Sequence, residues 1–231
     1  MQRLKKIMQH NKFKLFSRIS LLIVFLFSGN LLFAHDVVRE LDNMSKTDAA
    51  VLYMKLGYKH ILPLGLDHIL FVLSLFLLSA RLKPLLWQSL TFTVAHSITL
   101  GLAMYNVIKL PANIVEPLIA LSIMYVALEN VFTSKLRQSR IIVVFLFGLI
   151  HGLGFAGALS NLGLPPNAYL TSLLMFNVGV ELGQLTVILI AFFLFGKWFG
   201  HKPWYHKYVV IPLSLIIAAI ALFWVIERTL L

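Results

Sequence analysis

Residues 140–159 read RIIVVFLFGLIHGLGFAGAL. One arginine opens the stretch and one histidine interrupts it; every other residue is apolar or glycine. Twenty residues of helix rise about 30 Å, the thickness of a bilayer's hydrocarbon core, so the stretch reads as a helix in lipid. Comparable runs recur along the 231-residue chain, which is 59% hydrophobic and only 13% charged. A water-soluble domain carries about twice that share of charge. Because backbone polar groups in lipid must be paired within their own segment, helices are the natural spanning element. The predicted fold is all-α: a polytopic membrane bundle of six transmembrane helices after an N-terminal signal peptide. The spans are expected over about 62–80, 85–107, 114–133, 140–159, 168–195 and 208–227.

Three regions follow from this. Residues 1–34 resemble a secretory signal, with a basic start, a short apolar core over Ile19–Phe27, and Ala34 as the cleavage position. An uncleaved signal anchor is the alternative. Residues 35–59 are a mixed-charge extracytoplasmic segment, and residues 60–231 form the six-helix transmembrane domain. The net charge of +11 looks like a nucleic-acid signal until it is located. Six basic residues precede the first apolar run; fourteen basic and nine acidic residues follow it, a balance of +5. With residue 35 outside, the cytoplasmic loops hold Arg81, Lys83, Lys135, Arg137, Arg140, Lys197, Lys202 and Lys207, against Lys109 and Arg228 opposite. Positive-inside topology explains that pattern better than polynucleotide binding.

An ionisable side chain inside a span is costly and needs a partner or a purpose. Asp67, His68, His96, His151 and Glu181 are such residues, expected at comparable depth and so able to converge from four helices. Asn177 and Gln184 share a helical face with Glu181, and Thr93 and Ser97 flank His96 closely enough to orient ligands. Glycines 148, 152, 154 and 157 surround His151, and Gly179 and Gly183 flank Glu181, allowing close helix approach. There is no cysteine, so a metal must be held by nitrogen and oxygen, which suits nickel, zinc, cobalt, iron or copper(II). Glu129 and Asn130 read either as an exit path or as helix-to-helix glue. His35, once Ala34 is removed, offers an α-amine beside an imidazole. His201 and His206 read as solvated loop residues. Leu64–His68 echoes Phe147–His151, and Phe92–His96 parallels Phe176–Glu181, suggesting two inverted three-helix repeats.

Residues Gly57–Phe71, with His60, Asp67 and His68, resemble the signature of the HupE/UreJ family of hydrogenase- and urease-associated membrane proteins. So do Thr91–Ser97, Val115-Glu116-Pro117, Phe147–Ala156 and Phe176–Glu181. The resemblance implies a six-helix protein of the bacterial inner membrane, with its mature N-terminus outside the cytoplasm, admitting nickel or a related divalent cation. It implies lipid and metal ion as partners, leaves metalloenzyme-maturation proteins and homo-oligomerisation open, and involves no nucleic acid. The family pattern His-Pro-x-x-Gly-x-Asp-His is altered here: Ile61 follows His60 and proline stands at 63. Asp67 and His68 match it directly, whereas Pro63 leads us to expect His60 in an access loop.

Two mechanisms stay open. In a permease, His60, with His35, captures the ion and Asp67, His68, His96, His151 and Glu181 replace its water, with Glu129 on the way inward. In an intramembrane zinc hydrolase, the histidines and aspartate hold the metal and Glu181 is the general base. A metal-sensing or accessory scaffold is the third reading.

Overall fold

The computed structural model describes residues 44–230. The expected signal segment and His35 lie outside the described residues. Among the described residues the chain is helical, without strands.

The first helix, α1 (Lys46–Ile61), starts at Ser45, whose Oγ accepts the Asp48 N–H at 3.1 Å and donates to the Asp48 carboxylate at 2.6 Å. Residues 35–59, read from sequence as a polar segment, thus contain most of a helix. Its buried residues Ala49, Tyr53, Gly57 and Ile61 recur every fourth position, one helical face, while the charges that mark the segment as polar lie elsewhere on it. The helix stops before Pro63, which has no N–H to continue it; the Leu62–Pro63 peptide is cis. Four residues later α2 (Leu66–Leu78) departs at 67°. A Cβ on Gly65 would collide with the His60 carbonyl oxygen, so only glycine lets the chain double back this tightly. His60 therefore sits in the last turn of α1, not in a loop, and faces the start of α2.

The remaining helices are α3 (Leu82–Met104), α4 (Ala112–Phe132), α5 (Arg140–Leu162), α6 (Tyr169–Ala191) and α7 (Ile211–Leu230). Continuous turns extend α6 to Pro166–Phe199 and α7 to His206–Leu230. Helices α4 to α7 are long and apolar enough to cross a membrane, and α1 with α2 makes a fifth span if the bent pair is counted as one. At 13 residues α2 covers about 20 Å, short of the hydrocarbon core by itself. Helix α3 has the length, 23 residues, but lies outside that apolar set; it carries Gln88, Ser89, Thr93, His96, Ser97 and Thr99. Large apolar side chains such as Phe132, Leu174 and Phe223 project outward, as lipid contact requires.

Three helix pairs dominate the packing: α1 on α6, α3 on α5, and α4 on α7. The first two are glycine seams. A Cβ on Gly57 would strike the Phe176 carbonyl, one on Gly179 the Met54 carbonyl, and one on Gly152 the His96 carbonyl. The α4 end is tied by a polar knot. Buried Arg140 donates to Asn130 at 3.1 Å and to the Ser74 carbonyl at 3.4 Å, and pairs with Glu129 at 3.2 Å. His206, read from sequence as solvated, belongs to this knot: its Nε2 lies 3.0 and 3.2 Å from the Asn130 and Thr133 carbonyls.

Gly57→Ala should loosen the α1–α6 seam and cost about 1–3 kcal/mol, as overpacking does. Gly157→Ala, with no atom within 4 Å of the new carbon, should leave stability equal or slightly higher. Thermal unfolding of both variants in lipid nanodiscs checks the contrast.

Candidate metal centre

The break after α1 and the α3–α5 seam bring four histidines to one place. His60 closes α1, His68 lies in the first turn of α2, His96 is mid-α3 and His151 mid-α5. His68, His96 and His151 are buried, and His60 is partly so. One ring nitrogen from each of His60, His68 and His96 lies within 4.8 Å of the others. The Nε2 atoms of all three are buried without a hydrogen-bond partner. His151 packs beside them, its ring centroid 5.0 Å from that of His68, with Nδ1 unpartnered and Nε2 2.9 Å from Ser122 Oγ.

The rings are held from outside. His96 Nδ1 lies 3.2 Å from Asn177 Oδ1, and the Asn177 amide donates to the Leu173 carbonyl at 2.8 Å, which fixes its oxygen toward the histidine. That contact makes Nδ1 the protonated nitrogen and leaves the Nε2 lone pair facing the cluster. Phenylalanines form the walls: Phe155 lies 3.9 Å from His60, Phe92 5.7 Å from His68, and Phe71 5.2 Å from His151. Phe176 stacks on Phe155 at 4.9 Å.

Each unpaired polar atom in such surroundings costs about 1–3 kcal/mol. Three ring nitrogens gathered within 4.8 Å of one another, on histidines whose Nε2 atoms lack partners, form a donor set that fits a transition metal, and imidazole without thiolate suits nickel, zinc, cobalt or copper(II).

The carboxylates are placed differently. Asp67 faces a cavity of about 280 Å³ that also reaches His60, His68 and His151, and there it pairs with Arg228 at 2.9 Å. Glu181 is bound by the Thr93 hydroxyl and by Ser89 Oγ at 3.1 Å; Ser89 also lies 2.9 Å from Gln184 Oε1. It stands about one helical turn from Asn177, outside the histidine group. Of the residues read as orienting groups, Asn177 contacts a histidine, Thr93 and Gln184 serve the Glu181 cluster, and Ser97 bonds the Thr93 carbonyl of its own helix. Glu129 is engaged by Arg140, seven residues along α4 from Ser122.

Ser122, Ser89 and Arg228 escaped the sequence reading, because each meets its partner across a helix interface. The phenylalanine walls carried a readable signal: Phe92 and His96, Phe147 and His151, and His151 and Phe155 are spaced four apart, His68 and Phe71 three apart.

A sequence model for the family described as HupE / UreJ protein matches residues 36–228. No curated protein and no solved structure matches the chain.

Replacing one unpartnered imidazole with an aliphatic group should relieve the metal-free protein. His68→Leu is expected to unfold at the same temperature as the parent or a few degrees higher, measured in chelator-treated nanodiscs.

Proposed function

The chain belongs to the HupE/UreJ family, and on that premise we propose that it carries a divalent transition metal, nickel foremost, across the bacterial inner membrane. The observation that supports this reading is the clustering of His60, His68 and His96, one ring nitrogen of each within 4.8 Å of the others and the Nε2 of each buried without a partner, inside an apolar bundle. His151 is a fourth donor at the same depth, and Asp67 guards the cavity through which an ion approaches. Glu181, with Ser89, Thr93 and Gln184, provides an oxygen-lined step one turn further along the α3–α6 interface. Glu129 is the corresponding carboxylate toward the cytoplasmic end.

In this reading the spans are α2 to α7, with α1 packed at their outer edge and His35 upstream on the extracytoplasmic side. The shortness of α2 is compatible with insertion because α4 and α6 pack against it. Contacts between His68 and His151, and between His96 and Asn177, join the segments that echo each other in sequence, which supports the inverted repeat. Metalloenzyme-maturation proteins would receive the ion on the cytoplasmic side.

Transport is favoured over hydrolysis by Glu181: the general base that hydrolysis requires is bound to Ser89 and Thr93 rather than turned to the histidines. Transport also requires release, and nitrogen ligands without thiolate bind weakly enough to permit it.

Elemental analysis of the purified protein after nickel loading should find about one ion per chain. A His68→Ala, His96→Ala double variant should lose that ion and reduce cellular nickel accumulation at least tenfold while still inserting in the membrane. Wild-type accumulation in a well-expressed double variant would sink the proposal.

A further inference from the structure

Arg228 has no part in the reading above, yet it occupies Asp67, the carboxylate adjacent to His68 in the cavity. We infer that its guanidinium is a tethered cation, held on Asp67 until an incoming divalent ion displaces it, and that it sets how weakly the site binds. The inference rests on the metal-transport reading and adds to it the residue that tunes affinity and release.

The guanidinium is cradled on three sides. Its Nη2 lies 2.9 and 3.2 Å from the two Asp67 oxygens, and Nη1 donates to the Glu116 carbonyl at 3.3 Å. Beneath it stands the Trp224 ring, 5.1 Å from the guanidinium carbon. A carboxylate, a carbonyl and an aromatic face together make a cation site, and the last helix fills it with its own charge. The same cavity opens onto His60, His68 and His151. Asp67 directly precedes His68, so the carboxylate that Arg228 occupies is one residue from an unpartnered ligand nitrogen.

Exposure makes this pair exchangeable. Arg228 is 18% exposed and Asp67 29%, so water and ions reach both, and such pairs are held only weakly. A dication carries twice the guanidinium's charge, and the histidine nitrogens of the same cavity replace the water it must lose, so it displaces the guanidinium from Asp67. The displaced arginine stays attached through α7 and keeps its charge within the cavity. There it opposes the bound dication and re-forms its own pair as the ion departs. Arg228 thus raises the concentration needed to fill the site and shortens the ion's stay.

The test titrates nickel chloride, with zinc chloride as a second probe, into the full-length protein in nanodiscs, and measures nickel flux into proteoliposomes. Arg228→Gln should lower the half-saturating concentration about fivefold and lower maximal flux, as release slows. Arg228→Lys, which keeps the charge, should return both toward wild type. In an Asp67→Asn background, Arg228→Gln should change neither. A folded Arg228→Gln protein with unchanged or weaker binding would make Arg228 a structural strap and overturn the inference. If that variant does not fold, Trp224→Leu, which loosens the guanidinium and spares the ion pair, should shift affinity in the same direction; unchanged affinity there overturns it equally. Wild-type protein that binds neither metal removes the transport reading and this inference together, an outcome distinct from an unresponsive variant.

Discussion

A polar atom enclosed by apolar helices is costly without a partner, and several of those among the described residues have one. Arg140 is met by Asn130, Glu129 and the Ser74 carbonyl. Glu181 is met by two hydroxyls. The imidazoles of His60, His68 and His96 are not fully met: the Nε2 of each is buried without a partner, as is His151 Nδ1 beside them, and one ring nitrogen from each of the three stands within 4.8 Å of the others. Their surroundings hold them in place: Asn177 fixes the His96 ring, phenylalanines pack against the imidazoles, and the glycine seams keep the backbones close. The fold thus keeps these nitrogens together and unpaired, and in the proposed function a bound cation supplies the missing partner.

Two kinds of electrostatic arrangement are thus separated along the bundle. At the α4–α5 end, a fully buried arginine is neutralised by a dedicated carboxylate and amide, giving a knot that ties α2, α4, α5 and α7. At the cavity, a partly exposed arginine meets a more accessible aspartate in an arrangement that the proposal reads as exchangeable. Burial distinguishes the structural pair from the exchangeable one, because desolvation makes the loss of a partner far costlier in the interior than at a wet surface.

The class of fold was legible in the hydropathy of the sequence, and five of the expected spans coincide with long helices. Helix α1 was not legible, because Lys46, Asp48, Lys55 and Lys59 give it a polar composition while its buried stripe has only four members, Ala49, Tyr53, Gly57 and Ile61. The convergence of His68, His96 and His151 could be read from their depths in their spans. The position of His60 could not: the proline that marks a break does not say on which side the histidine stays, and the close approach of Gly65 to the His60 carbonyl decides it. The partners of Asp67 and Glu181 were equally out of reach. Arg228 is 161 residues from Asp67 and Ser89 is 92 from Glu181, and no local periodicity encodes such distances.

The pairing of helices carries a consequence for biosynthesis. Helix α1 rests on α6, which begins more than 100 residues later, and Asp67 receives its arginine only from the end of α7. The segments made first are also the least able to stay in lipid alone: α2 is short, and α3 is the most polar of the long helices. They must leave the ribosome with their histidines and carboxylates still lacking most of their final neighbours. Packing of the early helices therefore waits on synthesis of the late ones, so a chain stalled between α4 and α5 would hold α4 in the membrane while α1 and α3 still lacked α6 and α5, the helices they rest on.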